Sequence, residues 1–106
     1  VRNGKIETFE GDNQYIGGIY ENEEPFTLHT IELLEPAMLY LCSDGYEDQF
    51  GGAKNKKFKM SCLRSLLETI SSKPPAEQKE ILNCTIEDWK TGYGQTDDIT
   101  VMGIKT

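Results

Sequence analysis

The sequence predicts an α+β fold, a mainly antiparallel β-sheet with an antiparallel helix pair on one face. Three observations support this prediction: a continuous apolar run at Met38–Cys42, two successive helical patterns over 57–71 and 75–90, and an apolar closing segment at 99–104. The chain has 106 residues and a mass of 12.0 kDa. That length suits one small domain, so we expect residues 1–106 to belong to a single domain.

The first part of the chain is polar and rich in turn residues. Residues 5–9 are predicted to form a short strand. Residues 15–20 hold two adjacent glycines inside an apolar stretch, which favours a bulge or a close backbone approach. Apolar and polar residues roughly alternate over 26–34, which predicts one half-buried strand that Pro36 ends.

The apolar elements follow in the second part of the chain. The run at Met38–Cys42 is typical of a central strand covered on both faces. In both helices the apolar residues recur at spacings of three and four, which places them on one stripe of each helix. A loop at 92–98 precedes the closing strand. We expect these stripe residues to be buried: Phe58, Leu63, Leu66, Leu67, Ile70, Leu82, Ile86 and Trp89.

Charge excludes several classes of function. The formal net charge is −7, and a surface this acidic repels nucleic-acid phosphates and anionic lipids. The sequence contains no apolar run near the roughly 20 residues that span a bilayer, and no signal peptide is visible at its start.

The cysteines show no Cys-x-x-Cys spacing, which favours buried thiols in a reducing, cytoplasmic compartment; they are Cys42, Cys62 and Cys84.

Two acidic clusters stand at the edges of apolar strands. Asp44 follows Met38–Cys42, and Asp97 and Asp98 precede the strand at 99–104. If these strands are antiparallel neighbours, Asp44 and Asp97 lie side by side at one rim of the sheet. Converging carboxylates need compensation, and oxygen ligands favour Mg²⁺, Mn²⁺ or Ca²⁺ over zinc. Solvated turn carboxylates are the other interpretation, and the residues alone leave both open.

Two further features have a structural and a functional interpretation. Lys54, Lys56, Lys57 and Lys59 form a basic run that is typical of a solvated helix start, yet could attract an acidic or phosphorylated partner. His29 is the one histidine of the sequence. We interpret it as structural, since no cysteine or carboxylate stands at ligand spacing from it.

The motifs around these carboxylates resemble a known family. Ser43-Asp44-Gly45 after a hydrophobic strand, and Asp97-Asp98-Ile99-Thr100-Val101 before the last strand, resemble the C-terminal signatures of the metal-dependent protein serine/threonine phosphatases. These are the PPM, or protein phosphatase 2C-like, enzymes. More specifically, the chain resembles the SpoIIE-type bacterial branch of this family, and the resemblance covers nearly the whole chain. The Asp-Gln-Phe-Gly-Gly extension at 48–52 resembles a subgroup in which this domain ends a larger sensor protein.

The resemblance implies a site and a reaction. Asp44 and Asp97 match metal-ligand aspartates. Gly45, next to Asp44, is expected to leave the backbone open to approach an ion or a substrate at the edge of this site. Asp48 matches a position linked to an additional, weaker ion, and Asp98 a position beside the ligands. The implied reaction is hydrolysis of phosphoserine or phosphothreonine by water that two Mn²⁺ or Mg²⁺ ions activate. The implied fold is part of an α-β-β-α phosphatase sandwich.

The chain also departs from the family pattern. The Gly-Asp motif of the family's N-terminal half, with its metal-bridging aspartate, has no match upstream of Asp44. We therefore expect the chain to be the C-terminal part of the domain, without turnover or stoichiometric metal on its own. The alternative is a non-catalytic phosphatase-like regulatory or binding domain.

Partners follow from the same resemblance. It implies a signalling phosphoprotein as substrate, of the anti-sigma-factor antagonist type, and N-terminal sensor or regulatory domains in the parent protein. An exposed sheet face predicts association, with a symmetric homodimer as the simplest arrangement. We expect no nucleic-acid partner and no membrane segment in this chain.

Overall fold

A computed structural model describes residues 1–18 and 24–106. The elements in chain order are β1 (Met38–Cys42), α1 (Gly45–Asp48), β2 (Phe50–Gly51), β3 (Lys56–Lys57), α2 (Met60–Ile70), α3 (Pro75–Trp89) and β4 (Val101–Lys105). The predicted α+β class is confirmed, with two small antiparallel sheets and two main helices. Within the described residues, no helix is both long and apolar enough to cross a membrane.

The central sheet pairs the two apolar strands that the sequence predicts. β1 and β4 are antiparallel neighbours, with Met38 opposite Lys105 and Cys42 opposite Val101. Because side chains alternate between the faces of a strand, Tyr40 and Val101 lie on the same face. Both pack against the core cluster, and the Tyr40 hydroxyl donates a hydrogen bond of 2.6 Å to Gln78 Oε1 on α3. This contact ties the sheet to α3.

The core lies between the helices and the α1 turn. Of the eight residues predicted to be buried, six are, and Leu66 and Trp89 are half-buried. Tyr46 from α1 completes this core. Its ring meets Phe58 edge to face at 5.2 Å, and its hydroxyl donates to the Leu82 carbonyl oxygen at 2.8 Å. The turn that carries Asp44 is therefore anchored in the hydrophobic core.

The other face of the sheet is open. Leu39 lies opposite Ile104, and Leu41 lies opposite Met102, so two apolar cross-strand pairs share this face. Leu41 is 63% exposed and Met102 is 53% exposed. An exposed apolar face was expected from the sequence. The symmetric dimer across it stays a prediction.

The predicted helix 57–71 begins too early. Lys56–Lys57 pair instead with Phe50–Gly51 as a hairpin, and α2 begins at Met60. Lys59, which precedes α2, has a φ of 78°, a left-handed conformation that a helix interior does not accept. The basic run is therefore the outgoing side of a hairpin and the turn before α2. Its interpretation as a helix start is wrong.

Three other predictions are wrong. Residues 5–9 and 26–34 form no strand. Among the described residues, neither segment pairs with a strand in a ladder. Ile6 is partly buried against the core, whereas Leu28 is 88% exposed. The thiols are exposed rather than buried. In the segment predicted as a glycine bulge, residues 19 and 20 lie outside the described residues.

Candidate metal centre at the end of the central sheet

The two candidate ligand segments meet where the β1–β4 ladder ends. Beyond the Cys42–Val101 pair, the Ser43 amide donates to the Thr100 carbonyl oxygen at 3.0 Å. The Ser43 hydroxyl then bridges the two segments. It donates to the Asp98 carbonyl oxygen at 3.0 Å and accepts from the Thr100 amide at 2.9 Å. Asp44 and Asp97 each stand one residue from this bridge.

Gly45 lets the backbones of the Asp44 and Asp98 segments approach each other closely. A Cβ at this position would lie 2.2 Å from the carbonyl oxygen of Asp98. Gly45 is buried at the first position of α1. The glycine is therefore required by the close approach of two backbones. This outcome refines the expectation that Gly45 leaves the backbone open to an ion.

Asp44 and Asp97 are both exposed at this end of the sheet. Asp44 precedes α1, and its carbonyl oxygen accepts the Asp48 amide at 3.0 Å. One carboxylate oxygen of Asp97 accepts the Asp98 amide at 2.7 Å, and the Asp97 carbonyl oxygen accepts from Gln95 Nε2 at 2.9 Å. The backbone contacts join the segments that carry the two aspartates. A shared cation between their carboxylates stays a prediction.

The α1 turn has a cluster of negative charge. Asp44, Glu47 and Asp48 all act on Lys57, and the pKa of its ammonium is raised, first of all by the hydrogen bond to Asp48. That ion pair spans 2.8 Å. One carboxylate oxygen of Glu47 is buried and, within the described part of the chain, has no hydrogen-bond partner. A cation at this turn would give this oxygen a partner.

Asp48 and Asp98 have local roles in the structure. A cation at Asp48 would have to displace the Lys57 ammonium, so its assignment to an additional ion stays a prediction. Asp98 holds the site through its backbone, since its carbonyl oxygen accepts the Ser43 hydroxyl. Its carboxylate is exposed.

The donor set suits a hard cation. Carboxylate oxygens, such as those of Asp44 and Asp97, are the ligands that Mg²⁺ and Mn²⁺ prefer. Among the described residues, no group of three or more His, Cys, Asp and Glu side chains is placed to hold a metal ion. Asp44 and Asp97 would therefore hold an ion together with ligands from elsewhere.

Sequence reasoning did not predict the contacts of three residues in this region. Ser43 joins the two segments, Lys57 neutralises Asp48, and Gln49 is completely buried beneath the loop that carries Asp97. The Asp-Gln-Phe-Gly-Gly pattern signalled the region. The sequence gave no indication of the contacts of Ser43, Lys57 and Gln49, because serine, lysine and glutamine are usually solvated.

Comparisons with known proteins agree with this arrangement. The model of the Stage II sporulation protein E (SpoIIE) family matches residues 1–106. The SiaA-PP2C domain of Pseudomonas aeruginosa is similar in structure, with a TM-score of 0.64 and 29% sequence identity. The similarity covers 65% of this chain and 28% of that one. A comparison with curated protein sequences finds no match.

Proposed function

Because the chain belongs to the SpoIIE family of PPM-type phosphatases, we propose that it is part of a domain that hydrolyses phosphoserine or phosphothreonine on a signalling protein. The observation that supports this most is the junction of Ser43, Gly45 and Asp98, which joins the segments of both signature motifs. The chain spans about 28% of the similar solved domain, so the activity proposed is that of the whole protein.

Asp44 and Asp97 are the residues that would hold Mn²⁺ or Mg²⁺. Such ions, when bound, lower the pKa of a water molecule and neutralise phosphoryl charge. The contribution of this chain is to fix the backbone segments that carry the two carboxylates. Tyr46 anchors the turn of Asp44 in the core, and Ser43 bridges to the backbone next to Asp97. Fixed ligands need no reorganisation during the reaction.

The substrate class is supported by the basic hairpin. Lys54 and Lys56 are exposed on the hairpin that follows the α1 turn, in a chain whose net charge is −7. Their charge complements an acidic or phosphorylated protein segment. Lys57, on the same hairpin, is paired with Asp48. We infer that a phosphoprotein would approach the site over this hairpin.

The test is Mn²⁺-dependent release of phosphate from a phosphoserine peptide by the full-length protein. Asp44→Asn and Asp97→Asn should each reduce the rate sharply, because each removes a charged ligand, while Asp98→Asn should be milder. Asp88→Asn is the matched control, since Asp88 is exposed on α3, outside both ligand segments. A wild-type rate in Asp44→Asn would refute the assignment.

A non-catalytic phosphatase-like binding domain is the second candidate. It is favoured by the lack of a three-ligand cluster among the residues that the structure describes, since two carboxylates hold hard cations weakly. For the same reason we expect no measurable turnover from residues 1–106 alone. Phosphopeptide binding by the full-length protein without Mn²⁺-dependent phosphate release would support this candidate over the enzyme.

A further inference from the structure

The segment at 48–52 contains a buried polar side chain that the proposed reaction does not use. Gln49 is 0% exposed, although glutamine is ordinarily a surface residue. A buried amide is tolerated only when its donors and its acceptor are satisfied. The partners of Gln49 therefore indicate what the residue is for.

Gln49 binds the loop that carries Asp97. Its Nε2 donates to the Gly94 carbonyl oxygen at 3.0 Å and to the Phe50 carbonyl oxygen at 2.9 Å. Its Oε1 accepts the Thr96 amide at 3.4 Å. Residues 92–98 are all exposed, so burial of their own side chains does little to order them. The Gln49 amide anchors the loop at Gly94 and Thr96, while the Ser43 hydroxyl holds its end at the Asp98 carbonyl oxygen.

Gln49 itself is rigidly held. Its carbonyl oxygen accepts both the Trp89 indole Nε1 and the Phe58 amide at 3.0 Å. The next glycines pack directly on Trp89, since a Cβ on Gly51 would lie 2.0 Å from the Trp89 carbonyl oxygen. The Gly52 amide donates to that same oxygen at 2.9 Å. The glycines of the Asp-Gln-Phe-Gly-Gly segment therefore let the hairpin close onto α3.

We propose that Gln49 is a positioning residue that sets the place of Asp97 relative to Asp44. Gln49 directly follows α1, which begins beside Asp44, and its side chain holds Gly94 and Thr96 on the approach to Asp97. One side chain thus ties the end of one ligand segment to the start of the other. The assignment of the two aspartates rests on the proposed function; the anchoring of the loop does not.

The experiment compares two buried glutamines in the full-length protein. Gln49→Met keeps the length of the side chain and removes its hydrogen bonds. Gln78→Met is the matched control, because Gln78 is 3% exposed, its Nε2 donates to the carbonyl oxygens of Ser71 and Lys73, and its Oε1 accepts the Tyr40 hydroxyl. Both variants lose a buried amide, and only one of them touches the loop.

The first measurement is amide hydrogen exchange. In Gln49→Met we expect exchange over residues 94–98 to accelerate about tenfold or more, while Gln78→Met leaves that segment at the wild-type rate. The second measurement is the Mn²⁺ concentration that gives half-maximal phosphate release. It should rise by about 10–100-fold in Gln49→Met, the range for residues that orient metal ligands, with the rate at saturating Mn²⁺ reduced far less.

Gln49→Glu is a second variant, which distinguishes loss of the hydrogen bonds to the loop from a general loss of stability. It replaces Gln49→Met as the test if Gln49→Met does not fold. Burial raises the pKa of a carboxyl group. Below that pKa the protonated Glu can donate to the Gly94 carbonyl oxygen, and above it the carboxylate faces that oxygen without a proton. Protection of residues 94–98 should therefore be recovered on acidification from pH 9 to pH 6, relative to wild type at each pH.

The possible results distinguish failure of the role of Gln49 from failure of the proposed function. Equal exchange over 94–98 in wild type, Gln49→Met and Gln49→Glu would overturn the role of Gln49, whatever the activity. An unchanged Mn²⁺ requirement with faster exchange would overturn the link to Asp97. A wild-type protein without Mn²⁺-dependent turnover would refute the proposed function, and the exchange measurement would still decide whether Gln49 holds the loop.

Discussion

Gly45→Ala is the most direct perturbation of the junction between the two ligand segments. The added Cβ would lie 2.2 Å from the Asp98 carbonyl oxygen, 2.9 Å from the Asp98 carbonyl carbon and 3.3 Å from Ile99 Cγ1. Two of these three neighbours are backbone atoms, which cannot rotate away. Real Cβ atoms essentially never come closer than 3.0 Å to another atom, so the segments must separate by roughly 0.8 Å.

The separation has a stability effect and a functional effect. Overpacking of a tight site costs about 1–3 kcal/mol, and the Ser43 hydrogen bonds of 3.0 and 2.9 Å would lengthen at the same time. We expect the free energy of unfolding to fall within that range. A displacement near 1 Å between Asp44 and Asp97 should reduce turnover by about 100-fold, because reacting groups must be held in place.

Urea-induced unfolding, followed by the fluorescence of the sequence's one tryptophan, measures the first effect. Mn²⁺-dependent phosphate release by the full-length protein measures the second. Gly94→Ala is the matched control, since a Cβ at Gly94 would have no neighbour within 4 Å and would leave the carbonyl bound by Gln49 in place. If Gly45→Ala is as stable and as active as Gly94→Ala, the close approach described here is wrong.

Three further predictions concern the packing of the core, the pH dependence of stability and the role of the hairpin. Trp89→Ala should lower the free energy of unfolding by about 3 kcal/mol, the low end for a large aromatic residue, since Trp89 is half-buried; denaturant titration measures this loss. Burial raises the pKa of Tyr46 above its ordinary value near 10. As pH rises, the unfolded chain therefore loses the Tyr46 hydroxyl proton before the folded chain does. The free energy of unfolding should be unchanged below about pH 10 and should fall as pH rises further. The fall should be shallower in Tyr46→Phe, which has no hydroxyl to ionise. Replacing Lys54 and Lys56 by Glu should raise the KM for an acidic phosphopeptide about tenfold and leave hydrolysis of p-nitrophenyl phosphate unchanged; equal peptide kinetics at low salt would contradict the hairpin's proposed role.

The sheet and the helices are the parts that sequence reasoning predicts well. Met38–Cys42 is a five-residue apolar run, and the stripes of α2 and α3 repeat at helical spacing, so each signal is local to its own element. The antiparallel pairing of β1 with β4, the condition under which the two acidic motifs meet, is present in the structure. Local patterns of this strength are enough to predict the end of the sheet at which Asp44 and Asp97 are found.

The hairpin and the first part of the chain could not be predicted in this way. β2 and β3 have two residues each, too short for any period to appear. The alternation over 26–34 is real in the sequence, but an alternating segment becomes a strand only when a neighbour accepts its backbone hydrogen bonds. Gln49 could not be predicted to be buried, because its partners come from a loop 45 residues away.

The pairing of β1 with β4 also determines when the candidate site can form during folding. Met38 and Lys105 are opposite each other across nearly two thirds of the chain, so their contact requires closure of a long loop, at a high entropic cost. The hairpin and both helices close over short distances and should form earlier. The segments of Asp44 and Asp97 meet only when β4 docks on β1. Partly folded chains should therefore lack the assembled site even when their helix content is native.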